Sequence, residues 1–94
     1  MIKSKKELRS QIIKNLKALT KLKFKLTYTE GVAGNGLKYF GYSIYFNEIE
    51  EKYSITFSMC YARKNYFKEG FILSPTYVKN QCKDLIEYIN YINE

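Results

Sequence analysis

The sequence predicts an α+β fold, a two-layer sandwich in the order α-β-β-β-β-α. Two helices are expected on one face of a four-stranded antiparallel meander. Three observations carry that expectation. Phe40, Tyr42, Ile44 and Phe46 alternate with Gly41, Ser43 and Tyr45, and Tyr53, Ile55, Phe57, Met59 and Tyr61 alternate with Ser54, Thr56, Ser58, Cys60 and Ala62. This period-2 pattern belongs to strands with one apolar face. Both ends of the chain instead space their apolar residues by threes and fours, as amphipathic helices do. Every element then has a single apolar side, and two layers bury all of them.

Residues 4–21 read as the first helix. Ser4 and Glu7 have capping-box spacing. Leu8, Ile12, Ile13, Leu16 and Leu19 share one sector, and Lys3, Lys6, Ser10, Lys14, Lys17 and Lys21 the opposite one. Residues 22–30 read as a strand, since Leu22, Phe24, Leu26 and Tyr28 alternate with Lys23, Lys25, Thr27 and Thr29. Residues 31–36, with three glycines and an Asn-Gly pair, form a hairpin loop. The strands at 37–47 and 52–63 follow, joined through Asn47, Glu48, Ile49, Glu50 and Glu51. Lys64-Asn65 is a tight turn, and residues 66–73 a fourth, shorter strand interrupted at Gly70. Ser74 as N-cap and Pro75 at the first helical position open the second helix, which runs to about Asn93. Its stripe is Val78, Cys82, Leu85, Ile89 and Ile92 with Ile86 beside it, and Tyr77, Tyr88 and Tyr91 flank it. The outer sheet face is expected to carry Lys23, Lys25, Thr27, Thr29, Ser43, Tyr45, Ser54, Thr56 and Ser58, with Lys38 added if the register shifts after the glycines.

Ninety-four residues at 46% apolar and 17% aromatic content predict one folded domain, residues 1–94. Fourteen lysines against two arginines, with ten isoleucines and seven asparagines, read first as the codon bias of an AT-rich genome. Cys60 and Cys82 fall in different elements and are expected to be reduced thiols, which suits a cytoplasmic setting. The first twenty residues hold no apolar run, so no secretory signal is expected. No stretch approaches a membrane span of ~18 apolar residues.

The net charge of +7 is unevenly placed. Residues 1–26 hold nine basic residues and one acid, a balance of +8, and the rest of the chain holds seven basic residues and eight acids, a balance of −1. Catalysis is not expected. The chain has no His, the commonest general base. Two lone cysteines lack zinc-site spacing, and no nucleophile elbow or Walker lysine occurs. Glu48, Glu50 and Glu51 read as a solvated turn rather than a cation site, so neither metal nor cofactor is expected. The 31–36 loop does not run into a helix N-terminus, where a phosphate cradle gains its dipole.

The expected work is binding. Lys3, Lys6, Lys14, Lys17, Lys21, Lys23 and Lys25 would present a line of ammonium groups matched to a nucleic-acid backbone. Lysine brings point charge without the planar fork that reads guanine, so binding should be salt-sensitive and weak in sequence preference. Tyr39 and Tyr45 have outward parity and could stack bases or anchor a protein. The alternative is a small phage- or mobile-element-type inhibitor or adaptor on an acidic protein surface, for example an anti-CRISPR-like blocker of a host nuclease. A homodimer through an exposed sheet edge suits either.

The α-β-β-β-α portion of this order resembles a double-stranded RNA-binding domain over most of the chain. That family places a histidine in the loop between its first two strands and a lysine cluster at the start of its last helix. Here residues 31–36 hold no His, and the last helix opens Pro75, Thr76, Tyr77, Val78, Lys79 with one Lys. The resemblance therefore implies a topology and no ligand.

Overall fold

A computed structural model describes residues 2, 4–36, 38–59 and 73–93, with backbone alone at 58 and 59. The order of elements is α1 (Lys5–Leu19), β1 (Phe24–Val32), β2 (Lys38–Phe46), β3 (Glu51–Met59) and α2 (Pro75–Ile92). They fall into two compact units, Met1–Lys21 with Gly70–Glu94, and Leu22–Glu69. The described residues thus form an α+β protein with a three-stranded antiparallel sheet and two helices.

The first unit is the helical pair, with α1 packed against α2. The Ser4 hydroxyl accepts the Glu7 N–H at 3.1 Å, which satisfies one of the donors left open by the first turn. Leu8, Ile12 and Leu16 are fully buried. Each contributes about 1.5–3 kcal/mol relative to exposure. The helix ends at Leu19 because Thr20 turns extended, its N–H closing on the Leu16 carbonyl at 2.9 Å. Lys21, expected to close the row on the helix, therefore lies two residues beyond its last residue, Leu19. Leu19, expected in the stripe, is exposed.

Pro75 opens α2 as expected, but Ser74 makes no side-chain cap bond; its carbonyl takes the Val78 N–H at 3.2 Å. Val78, Cys82, Ile86 and Ile89 are the buried stripe. Ile86 lies within it rather than beside it, Leu85 is half-buried, and Ile92 is exposed. Ile2 and Leu73 exchange both backbone hydrogen bonds, at 3.0 and 3.2 Å, and both are buried. The expected fourth strand at 66–73 lies outside the described residues except for this last residue, whose partner is Ile2.

The second unit is the meander, ordered β1-β2-β3. Phe24, Leu26 and Tyr28 pair with Phe46, Ile44 and Tyr42, and Phe40, Tyr42 and Ile44 pair with Phe57, Ile55 and Tyr53. Period-2 geometry gathers all of these on one face. Phe40, Tyr42, Ile44, Phe46, Ile55 and Phe57 are buried. Their rings meet across strands: Tyr28 on Tyr42 at 5.5 Å, Phe40 on Phe57 at 5.8 Å, Phe24 on Phe46 at 6.1 Å and Phe46 on Tyr53 at 6.2 Å. Such cross-strand contacts fix register as well as adding stability.

β1 begins two residues later than expected and runs on through Gly31 and Val32. Lys38 pairs with Val32 and Met59 and has the parity of Phe40, so the register does not shift after the glycines. The β2–β3 connection is four residues, 47–50, and Glu51 already pairs with Phe46. Glu50 takes a left-handed conformation there, with φ of 52°. The end of the expected third strand, residues 60–63, lies outside the described residues.

Candidate nucleic-acid interface

On α1 the basic side chains follow from helical spacing. Lys6, Ser10, Lys14 and Lys17 are exposed, on the side opposite Leu8, Ile12 and Leu16. From Lys6 to Lys17 is three turns, about 16 Å at ~1.5 Å per residue. Lys6 and Arg9 are neighbours at i, i+3, as are Lys14 and Lys17. Arg9 is exposed on the flank of this row, and Glu7 is the helix's one acid. A hollow of about 390 Å³ opens beside Lys6, lined also by Ile2, Glu7, Ser10, Gln11 and Pro75. Lys21 is exposed beyond the helix end, and Lys3 lies outside the described residues.

Lys23 and Lys25 belong to the meander. The backbone around Lys23 is held against the β2–β3 turn. Its N–H donates to the Glu48 carboxylate, at 3.0 Å to Oε2, and its carbonyl accepts the Asn47 N–H at 3.2 Å. Glu48, expected to be merely solvated, thus anchors the approach to β1. The register then places Lys25, Tyr45 and Lys52 side by side across the three strands. Lys23, Lys25 and Lys52 are exposed, and Tyr45 is 37% exposed. Thr27, Ser43 and Ser54 form the next row, with the two serine hydroxyls 3.4 Å apart. Thr29, Gly41 and Thr56 form the third.

Tyr39 is placed differently from Tyr45. It pairs with Gly31, and a Cβ at Gly31 would come within 2.6 Å of its hydroxyl. The ring lies over the glycine and is half-buried. This is the device by which an aromatic side chain covers a bare strand position.

The structure brings together Lys6, Lys14 and Lys17 in one unit, and Lys23, Lys25 and Tyr45 in the other. Two exposed basic residues on these surfaces, Arg9 and Lys52, are not among those the sequence singles out. Arg9 was passed over because it sits off the lysine row. Lys52 was passed over because its place beside Tyr45 depends on hairpin register; the opposite parities of the buried sets on β2 and β3 carry that signal. Among the described residues no cluster of three or more metal-ligating side chains occurs. None of the described helices is long and apolar enough to cross a membrane. Fold and site define a small α+β protein with two exposed basic surfaces. No protein-family model matches the chain, and comparison with curated proteins and with solved structures finds no match.

Proposed function

We propose that this is a non-enzymatic binding protein whose α1 docks on the phosphate backbone of nucleic acid. The exposed row Lys6, Lys14 and Lys17, opposite the buried Leu8, Ile12 and Leu16, carries the proposal. Ammonium groups about a turn or two apart can neutralise successive phosphates and release their counterions. Arg9 would widen the contact on the flank of the row, and Lys21 would extend it past the helix end. Contacts of this kind position a protein without reading bases. The single domain and the two-layer arrangement expected from the sequence, fourth strand included, belong to the same proposal. Fluorescence polarisation with short duplexes tests the function. Binding at ~50 mM salt that weakens steeply with added salt supports it, and no binding at ~50 mM ends it.

One observation favours a second reading, an inhibitor or adaptor that holds a protein partner. Tyr77, Tyr88, Tyr91 and Ile92 are exposed on α2, Tyr91 by 74% and Ile92 by 45%. Aromatic residues are enriched where proteins meet. A stoichiometric protein partner retained after nuclease treatment would favour this reading over the first.

A further inference from the structure

The polar face of the meander has a composition that the helix does not share. Its strand positions are Lys25, Thr27, Thr29 and Gly31 on β1, Tyr39, Gly41, Ser43 and Tyr45 on β2, and Lys52, Ser54, Thr56 and Ser58 on β3. None is a carboxylate. The acids around it are Glu30 and Glu51, strand residues of the opposite parity, and Glu48 and Glu50 in the turn, where Glu48 is engaged with the Lys23 N–H. At one end Tyr45 stands between Lys25 and Lys52, with Lys23 a step beyond. Directly opposed Cβ atoms lie ~4.5–5.5 Å apart, so the three side chains form a strip about 10 Å wide. Towards the middle of the face Gly41 presents no side chain at all, and hydroxyls surround it. Tyr39 stands ~20 Å along β2 from Tyr45.

We infer that this face is a platform for single-stranded nucleic acid, with an unpaired base stacked on the Tyr45 ring and the adjoining phosphates held by Lys25 and Lys52. An aromatic ring between two cations is the arrangement such ligands select, because every base has a π-face and every linkage a charge. The hydroxyl residues Thr27, Ser43 and Ser54 form the next row, where the chain would continue. A duplex cannot use the platform, since its bases are already stacked and paired. The inference rests on the nucleic-acid reading above and adds strand preference to it. It uses a surface in the other unit, so the two can fail separately.

The test is polarisation with oligo(dT), oligo(U) and a duplex of about eight nucleotides, at ~50 mM salt. The wild type should prefer the single strands. Tyr45→Ala, and separately Lys25→Gln with Lys52→Gln, should weaken single-strand binding about tenfold or more and leave duplex binding within about twofold. Tyr45→Phe, which keeps the ring, should retain it. The oligo(dT) and oligo(U) arms distinguish DNA from RNA as the source of the strand. Single-strand affinity unchanged in both the Tyr45→Ala and the lysine variants overturns the platform while leaving the helix proposal standing. Loss of duplex binding alone on changing Lys14 and Lys17 supports two surfaces. Equal loss of both ligands from every variant overturns the separate platform.

Discussion

Replacing Gly41 by alanine probes the β2–β3 register more sharply than any other single change. A Cβ built on Gly41 runs into the Ile55 carbonyl oxygen, with Thr56 Cα at 2.8 Å and the Ile55 carbonyl carbon at 2.9 Å. All three obstacles are backbone, in the middle of the paired strands Lys38–Phe46 and Glu51–Met59, so no rotamer change relieves them. Overpacking a tight site costs about 1–3 kcal/mol, and a fixed backbone obstacle puts Gly41→Ala at the upper end, ~3 kcal/mol. For a chain of this size each kcal/mol lowers Tm by ~4–8 °C, so the fall should be about 12–24 °C. Circular dichroism on heating, with urea titration alongside, reads it. Two other glycines calibrate the series. At Gly31 the obstacle is the Tyr39 hydroxyl, the far end of a side chain that can swing aside, so Gly31→Ala should cost ~1 kcal/mol or less. At Gly34 nothing lies within 4 Å, and Gly34→Ala should be neutral or gain ~0.4–1 kcal/mol from a less flexible unfolded chain. If Gly41→Ala melts within ~2 °C of the wild type, or Gly31→Ala proves the more damaging, the register is wrong and the Lys25, Tyr45, Lys52 row falls with it.

Burial pushes the Cys82 thiol from its ordinary 9.0 up to about 11. The unfolded chain gives up this proton first, so the thiol's contribution to stability is intact below pH 9 and is lost as pH rises from 9.0 towards about 11. Urea midpoints that fall over that window in the wild type but less in Cys82→Ala check it; identical slopes refute it. Ser4→Ala removes the α1 cap and should cost about 1 kcal/mol, read by urea denaturation. Ile44→Ala, at a fully buried position beside Leu26 and Tyr53, should cost about 2–5 kcal/mol in the same assay.

Much of the fold was legible because side-chain periodicity reports burial directly. The buried sets Leu8, Ile12, Leu16 and Phe40, Tyr42, Ile44, Phe46 follow from counting threes and fours or twos. Where the chain leaves an element is set by tertiary partners instead. Lys21 has the right phase for the α1 row, but Thr20 turns extended, and Lys23 is drawn to Glu48 and Asn47 across the turn. Parity nevertheless contained more than the polar composition of the turn suggested. The buried residues are even-numbered on β2 and odd-numbered on β3, so opposed numbers must add to an odd total. A four-residue connection satisfies this, and a five-residue one would set Tyr45 against Tyr53 and turn one buried set outward. The same arithmetic puts Lys52 beside Tyr45. The covering of Gly31 by Tyr39 and the pairing of Ile2 with Leu73 have no periodic signature, because each joins positions through a contact rather than a repeat.

The measurement that bears most directly on binding through α1 is the salt dependence of duplex affinity in the triple variant Lys6→Gln, Lys14→Gln, Lys17→Gln. Glutamine has nearly the helix propensity of lysine, so α1 should persist, and circular dichroism verifies that it does. Each phosphate contact adds about 0.9 to the slope of log affinity against log salt, so losing three flattens it by up to ~2.7. Between ~200 and ~50 mM salt the wild type should then gain about 40-fold more affinity than the variant. A folded variant with the wild-type slope would contradict docking through this helix.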